Sequence, residues 1–199
     1  NVVIMIQARM KSSRLPGKVS MELGRDHTVL GLGITRALRS KLANSVVVLT
    51  TTDSADDKIV IEAQKYGVAS FRGSERDVLS RYFEAAEAFN ADVIIRITSD
   101  CPFIDPIVID KIILKFFKNS YHYVSNNLDK VNNRWQNSTC NFPQGMTVEV
   151  SSFKTLEKAW KEAKKPSERE HVFPYVQFNP QLFNISNLKM KKDFSFIRC

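Results

Sequence analysis

Residues 9–18 carry Arg9, Lys11, Arg14 and Lys18, interleaved with Ser12 and Ser13 and closed by Leu15-Pro16-Gly17-Lys18. Guanidinium forks, hydroxyls and an ammonium gathered on one short loop are groups suited to holding a polyphosphate. Pro16 fixes φ and Gly17 is free to take a positive φ, so the backbone turns sharply and presents Lys18. The phosphate loop of nucleotide hydrolases needs glycine five residues before its Gly-Lys pair and Ser or Thr after it; here Ser12 and Val19 stand there, and that motif fails. Charge alone leaves two readings open, an arginine-rich phosphate site and a solvated basic loop. Asp100, in Thr98-Ser99-Asp100-Cys101-Pro102, is the second chemical group of interest. A lone carboxylate facing several cations is either a structural ion pair or a ligand holding Mg²⁺ against a triphosphate.

The elements that would position these groups follow from apolar patterning. Val2, Val3, Ile4, Met5 and Ile6 form an unbroken apolar run, as in a strand buried on both faces of a parallel sheet. The basic loop leaves its carboxyl end, where ligands bind in open α/β sheets. A helix is expected over 29–42 with Thr28 as cap, then a strand over 46–49 running into Thr50, Thr51 and Thr52. Ser54 caps a helix over 55–66, with Asp56 and Asp57 near its positive end and Gly67 as its stop. A strand over 68–72 leads to a helix capped by Ser74 and running to Asn90. The strand at 93–97 delivers Asp100, and Asp105 with Pro106 opens a helix ending near Lys118. Strands follow at 121–124 and 146–150, separated by a polar, irregular stretch at 129–143. That stretch is long enough to act as a lid or to reach a partner in a homodimer. A helix over 153–163 precedes Ser167-Glu168-Arg169-Glu170, which has capping-box spacing, and the tail from 183 returns to short extended segments. Alternating strands and helices imply an α/β class with a mostly parallel, Rossmann-like sheet flanked by helices.

The 199 residues fit one domain spanning 1–199, with 127–145 a loop or small excursion. No apolar segment approaches the roughly 20 residues needed to cross a bilayer, and nothing at the start resembles a signal peptide. The first residue is Asn, so the chain is expected to be trimmed there. The net charge of +8 favours a polyanionic partner. The lysines of the last quarter read as solubilising surface rather than a nucleic-acid patch, since no aromatic-interleaved motif accompanies them. Cys101, Cys140 and Cys199 are odd in number, far apart and without a CxxC pair, which fits a cytoplasmic protein and argues against a disulfide framework or zinc site.

Several segments together resemble one family. Residues 3–18, Phe71-Arg72-Gly73-Ser74-Glu75-Arg76-Asp77-Val78-Leu79, Arg96-Ile97-Thr98-Ser99-Asp100-Cys101-Pro102-Phe103-Ile104-Asp105, Tyr123-Val124-Ser125-Asn126 and Ser167-Glu168-Arg169-Glu170-His171-Val172 are similar to the cytidylyltransferases that activate acidic sugars as CMP derivatives. CMP-KDO and CMP-sialic acid synthetases belong there, and the nearest likeness is to the spore-coat polysaccharide biosynthesis F-type branch. The resemblance implies a nucleotide-diphospho-sugar transferase (GT-A-like) fold. It implies a reaction of CTP with a sugar acid, KDO-, sialic-, pseudaminic- or legionaminic-acid-like, that yields CMP-sugar and pyrophosphate with Mg²⁺.

By similarity, Ala8, Arg9, Ser12, Arg14, Lys18, Arg72, Gly73 and Ser74 would bind the nucleotide. Arg9, Lys18 and Asp100 would be catalytic, with Asp100 as metal ligand. Asn126, Glu149, Glu170 and His171 would form the sugar pocket, each with a plainer alternative. Glu149 could face solvent, Glu170 could cap its helix with Ser167, His171 could sit on a helix face, and Asn126 could end its strand. Two departures from the family pattern stand out. Gln144 and Thr147 occupy positions usually acidic in this branch, and a second metal aspartate would fall beyond Cys199. The rivals are a glycosyltransferase using a ready-made nucleotide sugar, whose Asp-x-Asp motif Ser99-Asp100-Cys101 does not supply, and a non-catalytic nucleotide- or sugar-sensing module.

Overall fold

The computed structural model of the chain describes residues 1–12, 15–131, 134–137 and 141–198, and for 130, 131 and 134–137 the backbone alone. Arg14, Cys140 and Cys199 therefore lie outside the described residues. A seven-stranded sheet runs in the order β3 (Ala69–Gly73), β2 (Ser45–Thr51), β1 (Val2–Gln7), β4 (Val93–Thr98), β8 (Glu149–Ser152), β5 (Tyr123–Ser125) and β9 (Ile185–Asn187). All neighbours are parallel except β8, which runs antiparallel to both β4 and β5. β1 lies between β2 and β4, so the basic loop and the Asp100 turn leave adjacent strands at the same edge.

Alternate residues of the central strands feed two cores. Val2, Ile4 and Ile6 join Val46, Val48, Ile95 and Ile97 under α1 (Val29–Ala37), α2 (Asp57–Lys65) and α4 (Pro106–Lys118). Val3 and Met5 join Val47, Leu49 and Ile94 under α3 (Val78–Ala88), α5 (Phe153–Glu162) and α7 (Pro174–Phe178). That two-sided burial explains the unbroken apolar run of β1.

Local capping departs from the sequence expectation at three helices. Asp53, not Ser54, accepts the Ala55 amide, and Asp77, not Ser74, caps α3 by accepting from Ser80 N. Ser74 Oγ instead accepts from Asp77 N at 3.0 Å, building the turn before the cap. At α6 (Pro166–His171) the box acid is Glu168, which accepts from the Lys164 and Lys165 amides, rather than Glu170. α1 stops at Ala37, short of the expected 42. The stretch expected to be irregular contains a two-stranded antiparallel hairpin, β6 (Leu128–Val131) with β7 (Arg134–Asn137).

The strand expected over 146–150 begins only at Glu149. The residues before it are held by the Asn126 side chain, whose Nδ2 donates to Met146 O at 2.7 Å and whose Oδ1 accepts from Val148 N at 2.8 Å. Asn126 is 1% exposed, and with these two bonds its amide brackets two chain segments.

Candidate active site

The basic loop is anchored from below by a buried acid. Met10 N donates to Asp56 Oδ1 at 2.8 Å, and Thr50 Oγ1, Thr51 N and Thr51 Oγ1 all donate to Asp56 Oδ2. Burial works against ionisation of Asp56, but the Thr51 hydroxyl, the Met10 amide and the Thr50 hydroxyl outweigh it and hold its pKa below the ordinary carboxylate value. Asp56 precedes the first turn of α2, as expected, and its carboxylate is also the tie between β2 and the loop after β1. Gly17 takes φ +73°, its N–H reaches Met10 O at 2.8 Å, and the chain enters a single 3₁₀ turn over Lys18–Ser20. The turn delivers Lys18 Nζ to 3.1 Å from Asp100 Oδ2, while Thr98 Oγ1 donates to Asp100 Oδ1. Burial raises the Asp100 pKa, yet the bonds from Thr98 and Lys18 prevail and lower it, so the carboxylate is ionised.

A cleft of about 730 Å³ opens here, lined by Arg9, Ser12, Lys18, Arg76, Arg81 and Asp100 among others. Its cations are loosely matched. Arg9 lies 3.7 Å from Glu75 with both side chains more than 40% exposed, and Arg76 and Arg81 form no ion pair among the described residues. A basin of this kind suits a polyanion.

A second cavity, of about 410 Å³, adjoins the first, and Arg96 and His171 line both. Its wall is mostly neutral and hydrogen-bonding, with Ser125, Asn127, Thr147 and Gln177. Behind it runs a buried polar chain: Arg96 pairs with Glu149, Tyr123 Oη donates to Glu149 Oε1, and Gln177 Nε2 donates to Tyr123 Oη at 3.1 Å. Glu149 is 6% exposed, so it does not face solvent. Burial alone would lower the Arg96 pKa, but the Glu149 carboxylate raises it above the usual arginine value. The Tyr123 hydroxyl is pushed well up by burial and by Glu149.

Glu170 and His171 reach the cleft from the end of α6. Arg169 fixes that helix to α3 through Asp77 and Ser80, with Nη2 to Ser80 Oγ at 2.7 Å. Immediately after His171, buried Val172 adopts φ +73° and ψ −58°, and Phe173 N donates to His171 O at 3.0 Å. This is a γ-turn in a region costly for a β-branched residue, held by the surrounding packing.

Of the residues singled out from sequence, Arg9, Ser12, Lys18, Asp100, Glu170 and His171 line the cleft, and Glu149 lines the second cavity. Ala8 is buried, its amide donating to Leu49 O at 2.9 Å, and it does not line the cleft. Arg72 turns away: Nε donates to Thr51 O, Nη2 to Asp53 O, and Nη1 pairs with Asp57. Gly73 and Ser74 do not line the cleft either, and a Cβ on Gly73 would come within 2.9 Å of Arg81 Cγ. Gln7, Arg76, Arg81 and Arg96 are cleft residues that sequence reasoning did not assign. The available signal was a charge in an apolar context: Arg96 interrupts the run Val93-Ile94-Ile95, and Arg81 falls among the buried Val78, Leu79 and Tyr82.

The donor set decides what cation could sit here. Among the described residues no cluster of three or more His, Cys, Asp or Glu exists, so a site closed by protein ligands alone does not fit. A single ionised Asp100 facing a phosphate basin does fit a hard divalent cation completed by phosphate oxygens and water.

Comparison with known proteins places this arrangement. The sequence profile of the cytidylyltransferases matches residues 3–197. The spore coat polysaccharide biosynthesis protein SpsF of Bacillus subtilis is 31% identical over 200 residues, covering 98% of this chain and 77% of that protein. A 3-deoxy-manno-octulosonate cytidylyltransferase of Chlorobium phaeovibrioides is 36% identical over 115 residues, 58% of this chain and 45% of the other. The solved structure of a cytidylyltransferase from Leptospira borgpetersenii serovar Hardjo-bovis superposes with a TM-score of 0.88 at 38% identity, covering 99% of this chain and 79% of that one. The fold is that of the nucleotidyltransferases, and no helix among the described residues is long and apolar enough to cross a membrane. With the profile running through nearly the whole chain and the same architecture at high superposition, the chain belongs to the cytidylyltransferase family and is a CTP-dependent nucleotidyltransferase.

Proposed function

We propose that the enzyme joins CMP from CTP to a hydroxyl of a sugar acid, releasing pyrophosphate, in surface-polysaccharide biosynthesis. The observation that carries this reading is the meeting of a cationic cleft and a neutral, hydrogen-bonding cavity at Arg96 and His171. In the reaction the acceptor hydroxyl gives up its proton to solvent as its oxygen forms a bond to the α-phosphorus, the bond to the bridging oxygen of the β-phosphate breaks, and pyrophosphate departs with that electron pair. Arg9, Ser12 and Lys18 bind and neutralise the leaving phosphates, and Arg96 and His171 stand at the junction where donor and acceptor meet. Such work is positioning and electrostatic stabilisation, and no covalent enzyme intermediate is required. Asp100 would hold Mg²⁺, which when bound supplies charge neutralisation at the phosphates. The names of the Bacillus and Chlorobium relatives support a polysaccharide role and a sugar-acid acceptor.

The test is pyrophosphate release from CTP against a panel of sugar acids and the corresponding neutral sugars, with and without Mg²⁺. Release that requires one sugar acid and Mg²⁺ is the expected result. Turnover with neutral sugars alone would discard the sugar-acid acceptor, and CTP binding without turnover on any acceptor would point to a sensing role.

A further inference from the structure

Arg81 stands out energetically. It is 1% exposed, the bulkiest of the fully buried side chains, and it projects from α3 into the wall of the cationic cleft. Its Nη1 donates to Ser74 O at 3.0 Å, but its Nε has no partner, and no carboxylate among the described residues lies within ion-pair range. Burial pushes its pKa down from the ordinary arginine value, and nearby Arg9 pushes the same way. A buried charge of this kind is normally paired or replaced, because desolvation is expensive and an unmade bond adds to it.

The surrounding chain makes room for this arginine. Gly73 ends β3 where any side chain would meet Arg81, since a Cβ there would lie 2.9 Å from its Cγ and 3.2 Å from its Cβ. The glycine that follows Arg72 is therefore explained by the arginine stem rather than by a phosphate approaching its backbone. Two readings of Arg81 remain: a brace for the Ser74 carbonyl, or a charge held ready for an anion in the cleft. A brace alone needs one neutral donor and no charge, and a shorter polar side chain would supply it at smaller desolvation cost.

We propose that Arg81 is a positioning residue for the nucleotide, its fixed buried charge being compensated by the triphosphate of CTP. The inference rests on reading the larger cleft as the triphosphate site. It assigns the enzyme a cation that acts from beneath the cleft surface, where the dielectric is low, in addition to those that touch the phosphates from the loop. Arginine suits that position better than lysine because it stays charged when buried and spreads its charge over a plane.

The experiment compares Arg81→Met, Arg81→Lys and Lys18→Ala with the parent enzyme by calorimetric titration of CTP in Mg²⁺, alongside thermal unfolding of the nucleotide-free proteins. Arg81→Met is expected to weaken CTP binding on the order of 10-fold to 10²-fold, the scale of one charged hydrogen bond. Its unfolding midpoint should hold or rise by a few degrees, because an uncompensated charge has been removed. Arg81→Lys keeps the charge without the fork and should bind CTP more tightly than Arg81→Met. The proposal is overturned if both Arg81 variants bind CTP as the parent does while Lys18→Ala is weakened. It is also overturned if Met and Lys lose affinity equally and both unfold at lower temperature, the mark of a brace. Unchanged binding in all three variants would overturn the triphosphate reading of the cleft as well.

Discussion

The two cavities that meet at Arg96 and His171 treat charge in opposite ways. In the larger cleft Arg9 and Lys18 have partly exposed, long or single-point partners, and Arg76 and Arg81 have no ion pair among the described residues. In the smaller cavity the cation Arg96 is matched by Glu149, which is itself bonded by Tyr123, backed in turn by Gln177. In the first environment two cations lack a counter-charge among the described residues, whereas in the second the cation already has one and the wall offers hydroxyls and amides. The difference bears on the proposed reaction: a polyphosphate would gain most where cations lack partners, and a polyol acceptor where neutral groups converge.

The contrast breaks most violently at Glu149. Glu149→Gln leaves the Arg96 guanidinium buried without its counter-charge, and loss of one partner of a buried pair typically costs about 3–5 kcal/mol. Urea unfolding should register that loss directly. A change below about 1 kcal/mol would mean that Arg96 is solvated in the folded protein, and the satisfied character of the smaller cavity would have to be abandoned.

The cleft side responds differently. Lys18 is one-quarter exposed and its partner Asp100 nearly half exposed, so Lys18→Ala should leave the fold intact. Turnover should nevertheless drop on the order of 10²-fold to 10³-fold, the usual scale for one preorganised electrostatic donor. Steady-state pyrophosphate release checks this, and an unchanged rate would remove Lys18 from the mechanism. The pair of variants thus separates a residue needed for stability from one needed for charge on the leaving group.

Legibility in the sequence followed the same division. The parallel core was readable because β1, β2 and β4 are apolar on both faces, and only a sheet covered on both sides asks for that. Lys18 and Asp100 were readable as a pair on the condition that their strands are neighbours, and β1 and β4 do pair directly. Caps were misplaced where two candidates stood close together, as with Asp53 beside Ser54 and Asp77 after Ser74, since spacing alone does not say which side chain meets the first free amide. Arg72 carried an expected nucleotide contact, but its guanidinium is engaged by Asp57 and by the Thr51 and Asp53 carbonyls. Arg81 and Arg96 escaped notice because a charge within an apolar pattern looks like an interruption until the partner, or its absence, is visible in three dimensions.

Asp56 supplies the finest distinction, since it is a buried charge on the cleft side that is fully satisfied without ligand. It accepts from the Met10 amide and from three groups of Thr50 and Thr51, which together keep its folded-state pKa below the unfolded value. A depressed carboxylate pKa adds stability that is fully present above the unfolded value, about pH 4, and is lost as pH falls through the folded one. Asp56→Asn should therefore cost roughly 1–3 kcal/mol at neutral pH, as for a broken buried hydrogen-bond set, and less as the solution is acidified below about pH 4. Unfolding midpoints of parent and variant should converge in that acidic range. Parallel curves at all pH values would show that Asp56 holds the loop by shape rather than by charge, and the ionised acid would no longer explain why the backbone at Met10 keeps its place in the basic loop.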